Sequence, residues 1–218
     1  MGASTPREPE KDLRFDDFVS DALTWTHLLE GDPRFRSVSI LGHSEGALIG
    51  IVAAERDPKI AALVTLAGAG RDLATILDEQ VRKNPANSPN IVAEAEAYDA
   101  SLRLGNTVTD PDPLLAALYR TSVQPYLISE FAYDPQREIA RLHVPVCILQ
   151  GTTDVQVGVA DARALAGADP SAKLVLLDGV NHMFVDAPPD LAANAATYGN
   201  AALPIDARVA PAIATFLP

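Results

Sequence analysis

Ser44 stands between two glycines in Gly42-His43-Ser44-Glu45-Gly46, and the chain changes character abruptly around it. Ser37-Val38-Ser39-Ile40-Leu41 is a β-rich run, whereas Ala47 to Ala54 follows a small-residue helical pattern. A serine at a sharp strand-to-helix turn has its hydroxyl pushed outward, and flanking glycines let the adjoining backbones approach closely. Such a hydroxyl becomes a nucleophile once a histidine takes its proton and a carboxylate fixes that histidine's tautomer and stabilises the imidazolium. The rest of the chain therefore has to supply one base and one acid.

Four histidines are available. His27 falls inside an amphipathic helical pattern, His43 is the variable residue of the turn and is expected to point away from its neighbour Ser44, and His143 precedes a strand. In a parallel sheet the functional loops gather at the carboxyl ends of the strands, which puts His143 on the wrong side. His182 remains, carried on the short loop Asp178-Gly179-Val180-Asn181 that leaves the run Lys173-Leu174-Val175-Leu176-Leu177. The same geometry selects Asp154, which follows Gly151-Thr152-Thr153 at the end of the apolar run Val144 to Gln150. Asp161 and Asp178 are rivals, but one lies three residues into a helical pattern and the other at a strand terminus, where capping or turn formation is the ordinary role.

The elements that must position these residues alternate. An amphipathic helix is expected over Phe15 to Leu29, with Phe15, Phe18, Val19, Ala22, Leu23, Trp25, Thr26 and Leu29 on its apolar side. The Gly31-Asp32-Pro33 turn ends it. After the strand and turn around Ser44, a helix to Arg56 is apolar on nearly every side, with Gly50 marking close packing, and Ile60 to Leu66 is a second continuous apolar strand. Apolar strands alternating with helices predict an α/β fold: a mostly parallel sheet with helices on both faces. Between Arg71 and Arg141 the β-rich runs disappear, and helical segments are expected at roughly 71–84, 90–104, 111–122 and 124–132 from their spacing and punctuation. Strand patterning resumes at Val144, a helix follows at about Gly158 to Ala166, then the Lys173 to Leu177 strand, and Asp206 to Phe216 closes the chain as a helix. Residues 1–70 and 142–218 thus read as one core, with 71–141 set into it as a helical cap.

Composition narrows the partners. The 218 residues are enough for a substantial core, and 48% apolar with 21% charged residues is ordinary for a globular chain. Seventeen basic against twenty-nine acidic residues give a formal charge of −12, which repels phosphate backbones and anionic surfaces. Nucleic acid is not expected as a partner, and a small neutral substrate fits better than an anionic one. No apolar run is long enough to span a bilayer. Cys147, the single cysteine, sits in an apolar run and leaves no intrachain disulfide. Met1 to Asp12 is polar and charged, so it carries no signal-peptide hydrophobic stretch, and the default expectation is a cytoplasmic chain.

The order Ser44, Asp154, His182, with Gly151-x-x-Asp154, Gly179-x-x-His182 and an insertion after the strand that follows the serine's own, resembles the α/β-hydrolase superfamily of serine hydrolases. The resemblance covers nearly the whole chain, and the capped esterases and lipases are closest in layout. It implies cleavage of a small neutral carboxylic ester through an acyl-enzyme, with no cofactor and no metal. Ser44 would be the nucleophile, His182 the base, Asp154 its orienting carboxylate and the Glu45 backbone N–H an oxyanion donor. An elbow serine argues against the dehalogenase branch, which uses aspartate there, and the dienelactone hydrolases, which use cysteine. Two other outcomes share these residues: acyl transfer to another nucleophile, and a catalytically weak or silent domain that acts by binding.

One departure from that pattern carries its own expectation. In the superfamily several strands precede the elbow strand, and a loop after one of them gives the second oxyanion donor. Here the thirty-six residues before Ser37 hold one helix, no convincing strand and no Gly-rich loop of that kind, although Met1-Gly2-Ala3-Ser4 resembles the tail of the R-G-x-G-x-S stretch that usually lies just before that helix. The chain thus reads as the carboxyl-terminal portion of the fold. Its Ser37 to Leu41 strand should be an exposed apolar edge, through which copies of the chain could pair into a homo-oligomer.

Overall fold

Four short runs of branched and apolar residues form one parallel sheet in the computed structural model, which describes residues 9–218. In chain order the elements begin with α1 (Phe15–Glu30), β1 (Ile40–His43), α2 (Glu45–Arg56) and β2 (Leu63–Leu66). The helices α3 (Leu73–Lys83), α4 (Pro89–Arg103), α5 (Ala116–Tyr119), α6 (Gln124–Glu130) and α7 (Pro135–Ile139) come next. The chain finishes with β3 (Val146–Gly151), α8 (Val159–Ala168), β4 (Lys173–Leu177), α9 (Leu191–Ala195) and α10 (Val209–Phe216). The Met1-Gly2-Ala3-Ser4 stretch and most of the polar tail lie outside the described residues, and Glu10–Asp12 forms a single 3-10 turn.

The chain separates into two compact units. One consists of Val19–Arg71 and Asp134–Pro218 and contains the sheet, in the order β1-β2-β3-β4 with every pair parallel. Because side chains alternate along a strand, the sheet offers two apolar faces, and both are covered. On one face Gly50 of α2 lies against Leu63 and Ile40 so closely that a Cβ would come within 2.9 Å and 3.0 Å of their methyl groups. The other face presents Val64, Leu66, Cys147 and Leu149, which pack with Leu177, Phe184 and Val209 and with Ala212, Ile213 and Phe216 of α10. Seven residues of α2, Ala47, Leu48 and Gly50 through Ala54, are buried, as its all-round apolar pattern requires.

The second unit comprises the described residues up to Phe18 together with Asp72–Tyr133, and it is helical. Asp72 and Ser88 accept from the backbone N–H groups of Thr75 and Ile91 and so cap α3 and α4. Leu77, Val81, Ile91, Ala95, Leu102, Leu115, Tyr119 and Leu127 form its core. The first turn of α1 belongs here: Phe15 N–H donates to Ser129 Oγ at 2.8 Å, and the Phe15 ring rests on Tyr133 with centroids 4.9 Å apart.

Several boundaries differ from the sequence expectation for identifiable reasons. The segment expected as a helix over 111–122 yields only α5, because Pro111 and Pro113 supply no N–H and Asp110, before the first of them, takes a left-handed φ of 49°. The strand ending in the serine turn runs through Gly42-His43 instead of stopping at Leu41, since the Ser44 N–H still reaches Leu66 O at 2.8 Å as a sheet bond would. Trp25, placed on the apolar side of α1, is 65% exposed. The buried stripe of that helix is the narrower Phe15, Val19 and Thr26, spaced by four and seven. β1 lies at one end of the sheet order, and Leu41 on it is half exposed.

Candidate active site

The turn at Ser44 is strained. Its φ of 56° and ψ of −122° are values that a residue with a side chain rarely adopts, and α2 begins at the next residue. The turn closes this tightly because Gly42 passes against Gly46: a Cβ on Gly42 would lie 2.0 Å from Gly46 O. Gly46 itself faces open space, with nothing within 4 Å of a built Cβ, so only the first glycine of the motif is sterically required. Glu45 is the first residue of α2, where N–H groups fall outside the intrahelical hydrogen-bond ladder and the helix dipole is positive.

The loops carrying Asp154 and His182 are zipped together at the ends of β3 and β4. Gly151 pairs with Leu177 in the sheet, Thr152 N–H donates to Leu177 O at 3.0 Å, Thr153 N–H donates to Val180 O at 3.0 Å, and Gly179 N–H returns to Thr152 Oγ1 at 2.9 Å. A side chain at Gly151 would meet Val180 O at 2.1 Å, so this crossing depends on glycine. It delivers the acid to the base: His182 Nδ1 lies 2.8 Å from Asp154 Oδ2, and both side chains are almost wholly buried. With that nitrogen donating, the Nε2 lone pair is left as the proton acceptor. Asp154 is held by three further donors, the Gln156 and Val157 N–H groups on Oδ1 at 2.8 and 2.9 Å and Gln150 Nε2 on Oδ2 at 3.1 Å.

His182 is fixed from below by Asn181. The buried Asn181 amide donates to Thr197 Oγ1 at 2.7 Å, and its oxygen accepts from Met183 and Val185 N–H groups. Asn194 ties the same loop to the acid's loop by donating to Thr153 O at 2.8 Å and Pro188 O at 2.9 Å. Phe184, two residues past His182, is also left-handed, with φ of 56°. Ala67 and Asp110 are the other described residues besides glycine with positive φ, so two of the four such positions fall at Ser44 and beside His182.

The structure therefore brings Asp154 and His182 together and sets Ser44 at a strained strand end. Among the described residues no hydrogen bond joins the Ser44 hydroxyl to His182, a bond that is often long in a free enzyme. The rivals for the acid are occupied elsewhere. Asp161 makes a two-pronged pair with Arg71 at 2.9 and 2.7 Å and accepts from Gly70 N–H, while Asp178 is exposed and accepts from Thr152 Oγ1.

Three residues here escaped the sequence argument. His43 does not face away from the site: its Nε2–H donates to His182 O at 2.8 Å, and the two rings sit 4.8 Å apart. Burial pushes the His43 pKa down, with the bond to the His182 carbonyl opposing it. Gln150 was legible only as a polar residue closing an apolar strand, and Asn181 only as the neighbour of a histidine. No helix among the described residues is long and apolar enough to cross a membrane.

Comparison with known proteins agrees with this fold. Residues 1–195 match the alpha/beta hydrolase family. Esterase EstD of Thermotoga maritima is 25% identical over 181 residues, which cover 77% of this chain and 40% of that protein. The chain thus spans well under half the length of this curated relative. A lipase-esterase related protein from Clostridium acetobutylicum superposes with a TM-score of 0.55 at 16% identity, over 99% of this chain and 79% of the other. Est1E from Butyrivibrio proteoclasticus, solved with ferulic acid bound, superposes at 0.56 with 19% identity over 79% and 62%. At these identities the structural likeness speaks for the fold alone.

Proposed function

Because the chain belongs to the alpha/beta hydrolase family, we propose that it is a serine esterase that cleaves small neutral carboxylic esters through an acyl-enzyme. The observation that carries this reading is the buried His182–Asp154 pair at 2.8 Å, on loops that leave the same end of the sheet as the strained Ser44 turn. His182 Nε2 takes the Ser44 proton as Oγ attacks the ester carbon, and the resulting oxyanion is met by the Glu45 N–H at the positive end of α2. The protonated imidazole, stabilised by Asp154, then gives its proton to the leaving alcohol. Water repeats the sequence on the acyl-enzyme, releasing the acid and restoring Ser44. One oxyanion donor is worth about 2.7–4 kcal/mol of transition-state stabilisation, which is the scale of the Glu45 N–H contribution.

Neutral substrates follow from the formal charge of −12, and the likeness to the Thermotoga maritima esterase favours ester over amide cleavage. In this reading the helical segment 71–141 is a cap insertion in the hydrolase core. The test is steady-state hydrolysis of p-nitrophenyl acetate and butyrate. Asp154→Asn is expected to lower kcat by about 10⁴-fold with little change in KM, as the loss of an orienting carboxylate does. Turnover by Asp154→Asn equal to that of the parent chain would refute the assignment, and products that consist of transferred esters in place of free acid would move the reading to an acyltransferase.

A further inference from the structure

Two helices of the sheet-containing unit end beside each other at a group of metal-binding side chains that the proposed esterase does not use. The last turn of α1 carries His27 and Glu30, three residues apart and hence on one face. Asp57 is the residue on which α2 ends. One ligating atom from each of the three lies within 4.8 Å of the others, and His27 Nε2 is 2.8 Å from Asp57 Oδ2. We propose that His27, Glu30 and Asp57 bind a divalent transition-metal ion of the zinc class, which pins the end of α1 to the end of α2.

Four features favour a cation here. Both helices present their carboxyl ends, where the unpaired carbonyls and the macrodipole are negative. Two carboxylates balance a divalent charge, and an imidazole beside them suits zinc, cobalt or nickel better than magnesium or calcium. Asp57 is already oriented as a ligand, because its Oδ1 is held by the Lys59 N–H at 3.0 Å while Oδ2 faces His27. Glu30 Oε1 is withdrawn from solvent yet has no hydrogen-bond partner, a state that a carboxylate oxygen leaves at a gain when a cation reaches it. Tetrahedral zinc with bonds of about 2.1 Å needs ligand atoms about 3.4 Å apart, so the cluster must spread at His27–Asp57 and draw in at Glu30. A cavity of about 290 Å³ opens beside Glu30, lined also by Phe35, Arg36, Ser37, Val38 and Lys59, and of the three ligands only Glu30 borders it. Among the described ion pairs neither Arg36 nor Lys59 pairs with Glu30.

The site is distinct from the candidate catalytic centre. Ser44 precedes the first residue of α2 and Asp57 follows its last, so twelve helical residues separate them by about 18 Å. The test is calorimetric titration of the full chain with zinc chloride, together with thermal unfolding with and without the metal. Expected are one bound equivalent and a rise in Tm on adding zinc. His27→Ala, Glu30→Gln and Asp57→Asn should each weaken binding by about tenfold or more, at least as much as loss of an outer-shell partner does, and abolish the metal-dependent Tm rise. His27 is 59% exposed, so its replacement keeps the test meaningful if the Asp57 variant fails to fold. Absence of zinc uptake by the parent chain, or uptake that survives His27→Ala undiminished, would overturn the proposal.

Discussion

His43 shows how much one side chain next to a nucleophile can do without touching substrate. Its Nε2–H holds the carbonyl of the base itself, and its ring packs against both His182 and Phe184. His43→Phe keeps the ring and loses the donor. A buried carbonyl left unsatisfied costs about 1–3 kcal/mol, so we expect a lower urea midpoint and a fall in kcat larger than any rise in KM. The downward shift of the His43 pKa has a definite sign. The folded state favours the neutral ring, so its contribution is complete above the ordinary value near 6.5 and is lost as pH falls through the lowered one. The three residues of the proposed triad were readable from type, order and strand ends. The residues that hold them were not, because His43, Gln150 and Asn181 act through contacts made between segments far apart in the chain, which no local spacing reveals.

At the scale of elements the glycines at strand ends carry the sharpest expectations. Gly42→Ala and Gly151→Ala each put a methyl group about 2 Å from a backbone oxygen, of Gly46 and of Val180 respectively. Backbone cannot yield as a flexible side chain does, so each should destabilise by about 3 kcal/mol or more, at or beyond the top of the usual overpacking range, measured by urea unfolding. Gly46→Ala meets nothing and removes a helix glycine, so it should be neutral or stabilising by up to about 1 kcal/mol. The motif written as letters treats its two glycines alike, and only the packing separates them. Strand and helix placement was legible where the apolar pattern and its punctuation were clear, as in α2, α4 and β4. It failed where local chemistry cut a pattern short, as Pro111 and Pro113 do before α5, or where burial followed a narrower stripe than composition suggests, as in α1.

For the whole molecule, pH should act through the helical unit as well as through the site. Asp99 is fully buried, and burial pushes its carboxyl up to about 8, with the charge of Asp78 adding to the shift and the Tyr119 hydroxyl, which donates to it at 2.9 Å, opposing it. A raised carboxyl favours folding while it is protonated, so this contribution is complete below the ordinary value of 3.8 and is lost as pH rises towards about 8. Asp99→Asn should flatten the pH dependence of the urea midpoint between about pH 5 and 8.5, relative to the parent chain. A midpoint with the same slope in both would remove Asp99 as its source. The central claim is that Ser44 is an activated nucleophile, and covalent labelling reads that directly. A fluorophosphonate incubated with the folded chain should add one adduct, located by mass spectrometry on the peptide containing Ser44, and Ser44→Ala should take up none. A folded parent chain that remains unlabelled, or a Ser44→Ala chain that labels equally, would contradict the account.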